Sequence, residues 1–320
     1  MTSHAGVMTA PQAQASAREM TDLINDTLAD VDARMNEAVD SDVTVLRDAS
    51  RHIIGAGGKR VRPRLLMLAH LACGGDSLDD AVTIAAALEL VHTASVVHDD
   101  INDHGVIRRG LPSVNALWGR TFALLTGDFL FTKVYELMAP YRDMNITLAE
   151  ATVALVEGET LQAAAVKDGT YNREVYYRII GLKTAALFKA AASLGGQLAN
   201  ADVRTIAALG NFGYNVGLAF QIVDDILDLT ADSAQLGKTS GIDLDQGRGF
   251  AAAHIETESM ADDPIAAIKR KALNSDTIAE GRLRAAQLVT MAISELDILP
   301  ESEAKTLLIE TAHSVVNRSF

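Results

Sequence analysis

Apolar positions recur along this chain at three- and four-residue spacing, and no run alternates in the manner of a strand. The pattern predicts helices over about 17–38, 42–54, 62–73, 79–103, 115–139, 145–166, 172–196, 201–230, 246–258, 261–272, 275–296 and 301–317. Glycines and prolines at 55–58, 74–75, 110–112, 140, 169 and 237–249 separate them. No repeat or low-complexity linker divides the chain, so 17–320 is read as one all-α domain. Residues 1–16 are rich in Ala, Thr, Ser and Gln and are expected to form a disordered tail. Two helices stand apart. Those over 79–103 and 201–230 are apolar nearly all round, and each closes on a cluster of aspartates. A helix that is apolar all round is buried. Two such helices with acidic ends imply a single large bundle whose apolar core opens into a polar mouth.

Composition narrows the function. Of 320 residues 48% are apolar, too many for a disordered chain, and only 6 are proline, which suits helices. A single cysteine excludes an internal disulfide and with it a stapled secreted scaffold. Lys plus Arg is 28 and Asp plus Glu is 42, giving a net charge of −14 that argues against a nucleic-acid partner. The most apolar stretch, 81–97, is interrupted by Glu89 and His92 and falls short of the roughly 20 residues of a membrane span. Residues 1–16 lack the apolar segment of a signal peptide. A soluble cytoplasmic protein is expected, with peripheral membrane contact left open.

The aspartates carry the chemistry. Asp99-Asp100-Ile101-Asn102-Asp103 and Asp224-Asp225-Ile226-Leu227-Asp228 share the spacing D-D-x-x-D. Positions four apart share a helix face, so Asp99 and Asp103 point one way, as do Asp224 and Asp228. Like charges so placed repel, and a site closed from water raises that cost. A hard divalent cation relieves it, and oxygen-only ligands suit Mg²⁺ or Mn²⁺. Mg²⁺ takes few protein carboxylates and completes its shell with water and substrate phosphates, so the clusters suit a diphosphate gripped through metals. One cluster alone reads equally well as a solvated helix end; two copies on two apolar helices do not. Glu89-Leu90-Val91-His92 fits the E-x-x-H of a di-iron bundle, but no second such motif accompanies it.

Local cations answer the carboxylates. Gly57-Gly58-Lys59-Arg60-Val61-Arg62-Pro63 stands at a predicted helix start, where glycines admit an anion and the helix end favours it. Lys59 and Arg62 are placed to reach one phosphate group. Arg108-Arg109-Gly110 follows the first aspartate cluster by five residues, and arginine chelates phosphate oxygens in pairs. Lys183-Thr184 and Gly237-Lys238 are weaker candidates, and Lys183 or Lys238 taken alone reads better as a solvated surface cation.

With these motifs, from about Gly57 to Asp245, the chain resembles the trans-isoprenyl diphosphate synthases, or polyprenyl synthetases. Residues 57–63 resemble the family's isopentenyl diphosphate loop, and 99–103 and 217–228 its two aspartate-rich motifs. Gly127-Asp128, Lys183-Thr184 and Leu236-Gly237-Lys238 also match. The resemblance implies a homodimer of the isoprenoid synthase fold with a central apolar cavity. It implies three Mg²⁺ ions, Asp99 and Asp103 holding two and Asp224 the third, with Asp100, Asp225 and Asp228 as ligands through water or as support. It assigns isopentenyl diphosphate to Lys59, Arg62, His92 and Arg109, and the allylic diphosphate to Arg108, Lys183, Thr184, Gln221 and Lys238. The implied reaction ionises the allylic diphosphate and joins the cation to isopentenyl diphosphate, with Asp99, Asp103, Arg108, Lys183, Asp224 and Lys238 as its catalytic set.

One departure stands out. The family's Thr and Pro after Asp243-Leu244 are absent, and Arg248 takes the place of a lysine. Product length is expected to depend on Ala94 and Ser95, about one turn below the metals; by the resemblance the small Ala94 implies growth beyond fifteen carbons, and the tract over 114–131, similar to the long-chain members, implies about thirty to fifty, with twenty as the alternative. A terpene cyclase would not need the 57–62 loop, and a regulatory subunit would be expected to lose aspartates that are intact here. His98, His104, Cys73 and Trp118 read as packing or helix-end residues, and Glu157 and Glu159 are left unassigned.

Overall fold

The computed structural model describes residues 10–230, 246–254 and 276–318, with side chains from 18 onward. The order is α1 (Ala10–Ala38), α2 (Thr44–Gly55), α3 (Val61–Ala72), α4 (Asp79–Asn102), a two-stranded hairpin (Ile107–Arg108 with Leu111–Pro112), α5 (Val114–Met138), α6 (Arg142–Lys167), α7 (Arg173–Ile180), a π-helical turn (Gly181–Ala185), α8 (Ala186–Leu198), α9 (Val203–Thr230), α10 (Gly249–His254), α11 (Thr277–Glu295), a 3₁₀ turn (Leu296–Ile298) and α12 (Glu303–Val316). The helices follow the predicted periodicity closely. The first starts at Ala10, inside the stretch read as a tail. The helix expected over 261–272 lies outside the described residues.

α4 and α9 are the spine of the bundle. α4 packs on α5, α1 and α3, and α9 packs on α8 and α11. α4 turns Ile84, Leu88, Leu90, Val91 and Val97 into the core, each wholly buried. Burying such a side chain contributes about 1.5–3 kcal/mol. α4 and α9 are long and apolar enough to cross a membrane, as is the segment from Arg173 to Leu198. The 18-residue apolar windows of α4 and of that segment are 72% and 78% buried, so packing explains their apolarity; the window of α9 is 50% buried.

The stretch over 172–196 is helical from Arg173 onward but not α-helical throughout. It is α7, the π turn and α8. α6 packs closely against the π turn. A Cβ on Gly158 would lie 2.7 Å from the Lys183 amide nitrogen, so only glycine lets α6 come this near. A π turn inserts one extra residue and re-aims the side chains it carries, which here are Lys183 and Thr184.

Candidate active site

The ends of α4 and α9 face each other across two adjoining cavities, of about 440 and 230 Å³. Arg62, His92, Val96, Arg108, Phe220 and Asp224 line both.

The larger cavity is lined by cations: Lys59, Arg60, Arg62, Arg108, Arg109 and Arg318. The loop before α3 shapes it. Gly57 has φ +74, and a Cβ on Gly58 would lie 2.9 Å from the Arg109 guanidinium, so glycine lets that arginine lie flat on the backbone. Arg60 and Arg109 hold left-handed backbone at φ 45 and φ 52. For non-glycine residues this costs of order 1–3 kcal/mol and persists only where the surroundings enforce it. The Arg62 guanidinium lies 4.8 Å over the Phe188 ring, and that of Arg318 lies 4.1 Å over Phe220. Burial and the neighbouring Arg62, Arg109, Arg60 and Arg108 hold His92 well below its ordinary pKa, so its ring is neutral and offers a hydrogen bond without charge. Burial, with Arg318 beside it, also lowers Lys59.

The smaller cavity is lined by Asp99, Asp100, Asp103, Lys183, Thr184, Gln221 and Arg248, with Ser95, Val96, Leu155, Leu187 and Phe220 as a largely apolar wall. The Lys183 Nζ lies 3.5 Å from Asp99 Oδ2 and pairs with Glu159. Burial opposes its charge, but Asp99 and Glu159 outweigh that and raise its pKa. Burial, and then Asp99, push Glu159 up to about 7. Arg248 donates to both oxygens of Asp103, at 3.0 and 2.7 Å. Thr184 donates to Gln221 at 2.7 Å, and Gln221 to Asp225 at 2.8 Å.

The six aspartates divide by surroundings. Asp100 is 1% exposed and accepts two bonds from Arg108, at 3.0 and 2.5 Å. Asp225, 8% exposed, accepts from the Tyr176 hydroxyl at 2.8 Å, the Phe250 amide at 3.0 Å and Gln221. Asp228 is buried at 3%. Asp99, Asp103 and Asp224 are less enclosed and line the cavities. Their donor set is oxygen only, which fits a hard divalent ion; Asp99 and Asp103 are paired with Lys183 and Arg248, which such an ion would displace or share. No three such side chains converge into a ready-made cage among the described residues.

Lys59, Arg62, His92 and Arg109 thus meet in one cavity, and Thr184, Gln221 and Lys183 in the other, with Arg108 between. Lys238 lies outside the described residues. Ala94 is wholly buried and lines neither cavity; Ser95 lines the smaller. Asp128 stands outside both, 3.5 Å from His98. The sequence reading missed Arg318, Arg60 and the role of Glu159. Arg318 carries no local signal, because only the folding of α12 brings it to α4 and α9. The Glu159 signal was present, as Glu157-Gly158-Glu159, but its meaning depends on the π turn opposite.

The Polyprenyl synthetase family model matches residues 43–286. The chain is 35% identical over 318 residues to octaprenyl diphosphate synthase of Escherichia coli, covering 94% of this chain and 98% of that one. It is 40% identical over 238 residues to a short chain isoprenyl diphosphate synthase of Methanothermobacter thermautotrophicus, covering 72% and 73%. Its fold superposes on a polyprenyl synthase from Caulobacter crescentus, complexed with calcium and isoprenyl diphosphate, with TM-score 0.86 and 31% identity over 94% and 98% of the two chains. Paired cavities of opposite lining, two aspartate motifs facing across them and a match over most of its length together make this chain a member of the polyprenyl synthetase family.

Proposed function

We propose that this chain condenses isopentenyl diphosphate with an allylic prenyl diphosphate, head to tail, to make a linear all-trans product of about thirty to fifty carbons, its length set by the apolar cavity. The observation that carries this reading is the adjoining pair of cavities, one cationic and one carboxylate-rich with an apolar wall. The octaprenyl relative, 35% identical and matched over 94% of this chain, supports the longer product.

Lys59, Arg62, His92 and Arg109 would hold isopentenyl diphosphate in the larger cavity. Arg108, Lys183, Thr184, Gln221 and Lys238 would hold the allylic diphosphate. Asp99, Asp103 and Asp224 would hold Mg²⁺, with three ions expected and Mn²⁺ as an alternative. When bound, the ions supply Lewis-acid stabilisation of the leaving diphosphate. Arg108 and Lys183 add fixed positive charge where the C–O bond breaks and negative charge develops. Val96, Leu155, Leu187 and Phe220 keep water from the allylic cation. The isopentenyl double bond attacks that cation, and the proton released passes to the departed diphosphate. Holding both substrates across shared residues supplies the alignment.

The active unit would be a homodimer. Leu117, Phe122, Leu124 and Leu125 on α5, with Ile146, Val153 and Val156 on α6, are exposed apolar side chains that a second copy would cover. A cytoplasmic setting is in keeping with the single free cysteine, and peripheral membrane contact would release a long apolar product.

Steady-state kinetics of two variants test the assignment. Lys59→Ala should raise KM for isopentenyl diphosphate, and Lys183→Ala should raise KM for the allylic substrate and lower kcat. A terpene cyclase would consume allylic substrate with no dependence on isopentenyl diphosphate, and that result would overturn the proposal.

A further inference from the structure

The cationic cavity contains a carboxylate that the reaction does not use. Glu89, on α4, lines it and is 2% exposed. Its Oε1 accepts from Arg60 Nη1 at 2.9 Å, while its Oε2 is buried with no hydrogen-bond partner. Arg60 also donates to Asp32 at 2.8 Å and to the Ile54 carbonyl at 3.3 Å. Its guanidinium is thereby turned inward, and its left-handed backbone starts α3. Lys59 before it and Arg62 after it both line the cavity. Arg62 and Arg109 are deprived of water by burial, and Glu89 is the first opposite charge each of them feels. A buried anion among cations that await a diphosphate weakens the attraction for that ligand, so its presence calls for a compensating task.

We propose that Glu89 is a positioning residue of the isopentenyl diphosphate cavity. Its ion pair with Arg60 enforces the strained turn at residue 60 and so aims Lys59 and Arg62 at the diphosphate. Its remaining charge holds Arg62 and Arg109 together before the ligand arrives. Glu89 of the E-x-x-H pair on α4 therefore serves as an internal counter-ion. This inference rests on the assignment of the larger cavity to isopentenyl diphosphate.

The test measures KM for both substrates, kcat and thermal midpoint in Glu89→Gln, Arg60→Lys and Lys59→Ala. Losing one partner of a buried charged pair should raise KM for isopentenyl diphosphate roughly ten- to thirtyfold in Glu89→Gln, with the allylic KM within about twofold. Arg60→Lys keeps the charge and should show a smaller rise of the same kind. A combined Glu89→Gln, Arg60→Lys variant should be no worse than Glu89→Gln alone, because both act through one contact. Unchanged KM for isopentenyl diphosphate in folded Glu89→Gln, or an equal rise for both substrates, would overturn the proposal. If Lys59→Ala also leaves that KM unchanged, the cavity assignment itself fails; if Lys59→Ala raises it and Glu89→Gln does not, only the role of Glu89 fails.

Discussion

Asp103 and Asp225 belong to two copies of one motif, at different positions of it, and their surroundings separate them. Asp103 lines the cavity, and among the described residues only Arg248 forms a hydrogen bond or ion pair with its carboxylate. Asp225 is saturated by Tyr176, Phe250 and Gln221, three groups from three elements. Asp103→Ala should lower kcat by roughly 100- to 1000-fold with little change in thermal midpoint. Asp225→Ala should instead cost about 2–4 kcal/mol in denaturant unfolding, because buried donors lose their acceptor. Equal stability losses in the two variants would contradict this division. His92 adds a pH dependence. Its folded-state pKa is depressed below 6.5, so as pH falls through about 6.5 the unfolded chain takes up a proton and the folded chain does not. Stability is retained above that pH and lost below it, at up to about 1.4 kcal/mol per pH unit. His92→Gln should flatten that slope in midpoints measured between pH 5 and pH 8. At this scale the aspartates, Lys59 and Arg62 were legible from spacing. Arg318 was not, because its place depends on a contact between sequence-distant helices.

At the scale of elements, α4 and α9 were legible because burial on every side leaves an unbroken apolar record. The π turn was not. Nothing in Gly181-Leu182-Lys183-Thr184-Ala185 alone distinguishes it from α-helix, and its close neighbour, Gly158 on α6, is distant in sequence. The hairpin over 107–112 escaped notice because two-residue strands carry no alternation. The cavity wall also refines the expectation for product length. Ala94 points into packed core, whereas Ser95 faces the cavity beneath Asp99. Ser95→Phe should shorten the product by mass spectrometry, and unchanged length would place the limiting residues elsewhere. Ala94→Phe should chiefly overpack the core, at about 1–3 kcal/mol.

At the scale of the molecule, a net charge of −14 coexists with a site that binds diphosphate because the charges are segregated. Lys59, Arg60 and Arg109 line only one cavity, and Asp99, Asp100 and Asp103 only the other, where Arg108, Lys183 and Arg248 pair with them. The exposed apolar stripe on α5, with Phe122 44% and Leu124 49% exposed, predicts a dimer in sedimentation. Replacing Phe122 and Leu125 with Asp should yield monomer; an unchanged dimer would move the interface off α5. The most direct test of the central claim is product analysis of the pure protein given isopentenyl diphosphate, an allylic starter and Mg²⁺. The expected result is a linear polyprenyl diphosphate longer than twenty carbons, abolished by chelator. Release of cyclic hydrocarbon without consumption of isopentenyl diphosphate would contradict it.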